Sequence, residues 1–158
     1  MRLIELLTQE RVALRHNEDG PRSIDKAGVI QLLAQMLAAG SRLQTSEVER
    51  VLVEREQLQS TGIGEGVAIP HGALPQLQTQ YASLLIVPEG VDFAAIDGLR
   101  VNILFAVIGP KRATGEHLKT LARVSRLLRN KAFRDRLVAA TDAREAYDLI
   151  MAEEAEHR

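Results

Sequence analysis

The run R-E-Q-L-Q-S-T-G-I-G-E-G-V-A-I-P-H-G, Arg55 to Gly72, decides how the rest of the chain is read. It holds four of the eleven glycines, one of the five prolines and one of the four histidines. Glycine at this density lets the backbone take positive φ and approach another group closely. Val67-Ala68-Ile69 is an apolar run long enough for a brief strand. Pro70 ends any hydrogen-bond ladder there and fixes φ. His71 therefore falls just past a strand end, where a rigid element hands over to a loop and where chemistry is usually placed.

Upstream, residues 2–9 read as a short amphipathic helix, 11–14 as a strand and His16 to Pro21 as a polar turn. From Asp25, apolar residues recur at helical spacing until Gly40. Ser46-x-x-Glu49 is a capping-box pattern opening a helix to about Gln57, with Arg55 in its last turn, where a cation suits the dipole. Downstream, Tyr81 to Val87 reads as a buried strand and Pro88-Glu89-Gly90 as a turn. Val101 to Ile108 is the strongest strand, apolar enough for burial on both faces. A helix is expected from about Glu116 to Leu128, on a face carrying Leu118, Leu121, Ala122, Val124, Ser125 and Leu128. A short helix around Phe133 to Val138 follows, then a last one capped by Asp142-x-x-Glu145, with a polar tail fraying from about 152. Alternating helices and short buried strands predict an α/β fold, a small, mostly parallel or mixed β-sheet flanked by helices on both faces. One domain over 1–158 is expected.

Composition narrows the function. The net charge of −1 gives no bulk reason to expect nucleic acid or an anionic membrane as partner. Aromatics are 3%, so base-stacking platforms are not expected. There is no cysteine, which removes disulfides, thiolate metal sites and cysteine nucleophiles and suits a reducing cytoplasm. No apolar run reaches membrane-spanning length, and the N-terminus lacks a secretion-signal pattern.

The glycines admit two readings, a tight turn before a strand or a cradle of N–H groups facing an anion. Nucleotide motifs fail: the dinucleotide fingerprint G-x-G-x-x-G needs glycine at residue 67, which is Val, and no Gly-Lys-Ser/Thr occurs. His71 is either structural or catalytic, and its Pro70 and Gly72 neighbours favour a ring held open. His117 is either a solvent-facing residue at a helix N-terminus or a second active group kept neutral by the dipole. No local ligand set supports metal, and no serine sits in a nucleophile elbow. His16 and His157 receive no role.

Ser60 to Gly72 resembles the signature of the fructose/mannitol-type enzyme IIA domains of the bacterial phosphoenolpyruvate-dependent phosphotransferase system. Arg55-Glu56 precedes it as in that family. D-F-A-A-I-D-G (Asp92–Gly98), V-N-I-L-F-A-V-I-G-P (Val101–Pro110) and H-L-K-T-L-A-R-V-S-R-L-L (His117–Leu128) resemble further family blocks in order. The first of these leans toward the nitrogen-regulatory branch. The first 45 residues match in layout only. The resemblance implies about five strands in a mixed sheet. It implies that His71 accepts phosphate from an HPr-like phosphocarrier, with His117 as the second active-site histidine and Arg55 as the active-site arginine. Thr61, Gly62, Gly64 and Gly66 would cradle the phosphate, without cofactor or metal. Glu65 puts an acid in that loop, where flanking glycines let it point outward. Downstream partners would be regulatory targets or, in the alternative, a membrane sugar transporter. A third reading is a binding module that is never phosphorylated.

Overall fold

The computed structural model describes residues 2–16 and 24–156. In chain order it has two 3-10 turns (Leu3–Glu5 and Gln9–Arg11), β1 (Val12–Leu14), α1 (Lys26–Ala38), α2 (Thr45–Leu58) and β2 (Gly62–Gly64). Then come β3 (Val67–Ala68), β4 (His71–Leu74), β5 (Tyr81–Val91), β6 (Val101–Pro110), α3 (Thr114–Leu127), α4 (Lys131–Val138) and α5 (Ala143–Glu156).

The strands form one mixed sheet in the order β1-β5-β6-β3-β2, with β4 also paired to β6. β3 and β4 share the same edge of β6, at Ile103–Leu104 and Val107–Pro110, both parallel to it. They are one edge broken at Pro70, which has no N–H for the ladder. The sheet thus has six strand segments but is five ribbons wide, close to the expectation. β6 is apolar because both of its faces are covered. Leu104, Ala106 and Ile108 join one core with α1 and α2, including Leu33, Leu37, Val48 and Leu52. Ile103, Phe105 and Val107 join the other with α3–α5, including Val124, Phe133, Leu137 and Ile150. Helices therefore lie on both faces, as the alternating pattern predicts.

α1 starts where Asp25 accepts from the Gly28 N–H at 2.8 Å, and Gly40, at φ +75°, turns the chain away after it. α5 starts where Asp142 accepts from the Glu145 N–H.

Several local expectations change. Residues 2–9 form 3-10 turns rather than a helix. The start of α2 lies at Thr45 with Gln44 as its N-cap and no side-chain cap, so Ser46 is already helical and cannot cap. Pro88-Glu89-Gly90 does not turn the chain. It is an irregularity within β5, whose pairing with β6 resumes at Val91↔Val101. Arg100 holds this kink by donating to the Gly90 carbonyl at 2.8 Å. α3 begins at Thr114, and Leu118 and Ala122 face solvent, so its buried stripe is Thr120, Val124 and Leu127. α5 continues to Glu156 instead of fraying at 152, because buried Glu154 accepts from the Leu3 N–H at 2.6 Å and the Ile4 N–H at 3.1 Å. The turn expected at His16 to Pro21 lies outside the described residues beyond His16. No described helix is long and apolar enough to cross a membrane.

Candidate functional site

His71 lies just past the end of β3, as the sequence predicts, and also opens β4. Its register partner is Val107, so its ring is on the α3–α5 side of the sheet. Nδ1 lies 2.8 Å from the Ile69 carbonyl oxygen. A carbonyl can only accept, so Nδ1 carries the proton and Nε2 keeps a lone pair. Arg55, from the last turn of α2, donates through Nε to that Nε2 at 3.2 Å. Its Nη1 donates to the Gln59 carbonyl at 2.9 Å, which satisfies an orphan acceptor at the helix end and holds the guanidinium in place. His117 arrives in the first turn of α3, its ring centroid 5.7 Å from that of His71 and tilted by 52°. The two supporting side chains thus reach His71 from opposite helical layers.

The glycines have specific steric reasons. Glu65 (φ +57°) and Gly66 (φ +83°) form the two-residue turn joining β2 to β3, and positive φ at both positions matches a type I′ hairpin. A Cβ on Gly62 would stand 2.7 Å from the Ala95 Cβ. A Cβ on Gly72 would stand 3.0 Å from Val51 of α2, the helix that carries Arg55.

A cleft of about 320 Å³ lies beside His71, lined by Arg55, Thr61, Gly62, Ile63 and Ile96 among others. Gly64 and Gly66 line different clefts. Thr61 and Gly62 have other bonding partners. The Thr61 N–H and hydroxyl both donate to Glu56, and the Gly62 N–H donates to the Ser60 hydroxyl at 3.1 Å. Glu65 points outward, as its position predicts, and pairs with Arg134 at 2.8 Å.

Sequence reading missed Glu56. It is buried, binds Thr61 and pairs with Lys26 at 2.9 Å, tying α1, α2 and the glycine stretch together. Its only signal was its place beside Arg55. Asp97 entered only as part of the D-F-A-A-I-D-G block, yet it accepts from the Glu65 N–H at 2.8 Å. His16 lies 2.8 Å from Glu89, and His157 is outside the described residues.

Both site imidazoles are held below their ordinary range. For His71 the main cause is burial, offset partly by the Ile69 carbonyl and reinforced by Arg55. For His117 it is burial and then His71 itself. The lowered proton affinity agrees in direction with the helix-dipole expectation, but its causes are different. Neutral rings leave Nε2 of His71 nucleophilic at neutral pH. Among the described residues no group of three His, Cys, Asp or Glu side chains could hold a metal ion. A neutral nucleophile with an arginine at its attacking atom and a second imidazole nearby can receive a group whose transition state is anionic.

Residues 6–153 match the family model described as phosphoenolpyruvate-dependent sugar phosphotransferase system, EIIA 2. A nitrogen regulatory protein of Bradyrhizobium diazoefficiens is 39% identical over 120 residues, covering 73% of this chain and 78% of that protein. One from Escherichia coli K12 is 34% identical over 126 residues, covering 79% and 77%. The crystal structure of nitrogen regulatory protein IIA-Ntr from Neisseria meningitidis superimposes with a TM-score of 0.83 at 32% identity, covering 94% of this chain and 99% of that one. With nearly the whole chain matched in sequence and fold, the protein belongs to the EIIA type 2 family of the phosphoenolpyruvate-dependent phosphotransferase system.

Proposed function

We propose that the chain is a phosphohistidine carrier of the nitrogen-regulatory type, taking a phosphoryl group from an HPr-like phosphocarrier onto Nε2 of His71. The observation that carries this reading is the Ile69 carbonyl on Nδ1, which fixes the proton there and points the free lone pair at Arg55. The Nε2 lone pair forms the new N–P bond as the donor's N–P bond breaks, and that electron pair returns to the donor imidazole. Nδ1 keeps its proton throughout. Arg55 shifts its donation from Nε2 to a phosphoryl oxygen, and His117 donates to another, so no metal is required. The N–H groups of Thr61 and Gly62 join only if they leave Glu56 and Ser60. The cradle is therefore mainly side chain, and Gly64 and Gly66 act by shaping the hairpin.

Exposed Ile63 and Ile96 line the cleft, exposed Leu58 lies three residues after Arg55, and exposed Leu118 follows His117. Such a scattered apolar rim suits transient docking of a carrier protein. A phosphate on His71 adds about −1.5 to −2 charges by analogy with other phosphorylated side chains. That changes the surface seen by regulatory partners.

The test is incubation with phosphoenolpyruvate, enzyme I and an HPr-like protein. An acid-labile, base-stable phosphate should appear and His71→Ala should abolish it. Label that persists on the His71→Ala protein overturns the assignment.

A further inference from the structure

His117 has one ring nitrogen that its proposed role does not explain. Nδ1 is buried and has no hydrogen-bond partner. A neutral imidazole carries one donor and one acceptor nitrogen, and which is which depends on what each meets. For His117 to donate to a phosphoryl oxygen through Nε2, Nδ1 must be the acceptor and needs a donor.

The sheet register brings one side chain to that place. Tyr81 pairs with Ile108 in the antiparallel β5–β6 ladder, so Gln80 stands opposite Gly109. Val107, two residues before Gly109, belongs to the α3–α5 core, so position 109 faces α3. Having no side chain there leaves room, and two groups fill it. A Cβ built on Gly109 would lie 3.1 Å from Gln80 Cγ and equally 3.1 Å from His117 Nδ1. Gln80 is 3% exposed, so water does not compete for its carboxamide as it would at the surface.

We propose that Gln80 is a positioning residue that sets the tautomer of His117: a rotation of its carboxamide in the space over Gly109 lets its N–H donate to Nδ1, leaving the proton on Nε2. This deepens the phosphohistidine reading and rests on it for its purpose. Ile69 then fixes His71 with the proton on Nδ1, and Gln80 fixes His117 with the proton on Nε2. One ring presents a lone pair and the other a donor. Glutamine suits this because a half-turn of its amide presents either end, whereas a carboxylate at the same place could only accept.

The test is nitrogen NMR of the unphosphorylated protein labelled with 15N at histidine and glutamine, at a pH where both rings are neutral. The expected result is an acceptor-type Nδ1 and a protonated Nε2 at His117, with a coupling across the hydrogen bond from the Gln80 amide to Nδ1. In Gln80→Glu the His117 proton should move to Nδ1, while the Nδ1 proton of His71 stays. Phosphoryl uptake by that variant should slow by up to about 10²-fold, the scale for one lost transition-state donor. A wild-type proton on Nδ1, or a wild-type His117 without the coupling, overturns the assignment even if the variant fails to fold. So does a variant whose tautomer is unmoved, or one whose tautomer moves without slowing uptake. Absence of phosphate uptake by the wild type would instead overturn the carrier reading, and the NMR result would still decide the role of Gln80.

Discussion

Removing the Glu56 carboxylate should loosen the glycine stretch and destabilise the whole chain. Its side chain is 5% exposed and meets Lys26 at 2.9 Å, while the Thr61 N–H donates to it at 3.0 Å. Glu56→Ala strips partners from a buried N–H, a buried hydroxyl and a cation at once. The Thr61 groups alone cost about 1–3 kcal/mol when left unsatisfied. Lys26 is 30% exposed and rests over the Phe93 ring, so water and the ring soften its share. The sum is about 3–5 kcal/mol, the usual range for breaking a buried pair from one side. Against a total stability of about 5–15 kcal/mol this is severe. For a chain of 158 residues, at about 2–4 °C per kcal/mol, Tm should drop by about 6–20 °C. Glu56→Gln keeps an acceptor for Thr61 and should lose only about 1–2 kcal/mol. Urea unfolding of both variants, and of a Lys26–Glu56 double-mutant cycle, measures these terms. A loss under about 1 kcal/mol in Glu56→Ala, with no coupling to Lys26, refutes the idea that this carboxylate anchors the loop.

Three further outcomes follow from the site. His71 and His117 should titrate below about pH 6.5, the ordinary imidazole value. The unfolded chain then takes up these protons first, so their contribution to stability is complete above about pH 6.5 and is lost as pH falls below it through the folded-state values. Imidazole NMR midpoints above about 6.5 would contradict the burial argument. Gly62→Ala places a methyl 2.7 Å from Ala95 Cβ and 2.9 Å from its Cα, so backbone must move. A cost of about 1–3 kcal/mol is expected in urea unfolding, and an unchanged midpoint would show that the loop yields freely. Ile96→Glu and Leu118→Glu alter side chains 68% and 60% exposed, so stability should change by less than about 0.5 kcal/mol. Their KM for the phosphorylated carrier should rise about 10-fold or more as an apolar contact is lost. Unchanged KM in both would remove the apolar rim from the docking surface.

The long signals were readable from sequence because one physical cause dominates each. β6 is apolar throughout because two cores cover it, and α1 is bracketed by Asp25 and Gly40. Arg55, His71 and His117 were legible through the family blocks, and the structure brings them together. Short-range signals failed where tertiary contacts compete with them. Pro88-Glu89-Gly90 has turn chemistry, yet Arg100 and the resumed pairing at Val91 keep it inside a strand. His71-Gly72-Ala73-Leu74 has no strand pattern, but the free edge of β6 recruits it. The glycines allowed both a turn and a cradle, and positive φ at Glu65 and Gly66 shows the turn. Glu56 was invisible as an anchor because its two partners, Lys26 of α1 and Thr61 of the glycine stretch, lie outside its own helix.

Pro70 breaks an edge strand, yet its carbonyl accepts from the Val107 N–H at 3.0 Å, in the middle of β6. His71 is therefore bolted to the central strand by the residue just before it. Segments joined this way exchange their amide hydrogens only in large-scale openings, unlike a loop that frays by itself. The site's geometry should persist until the sheet itself opens, so a destabilised variant should lose the proposed phosphoryl acceptance together with its core and not ahead of it.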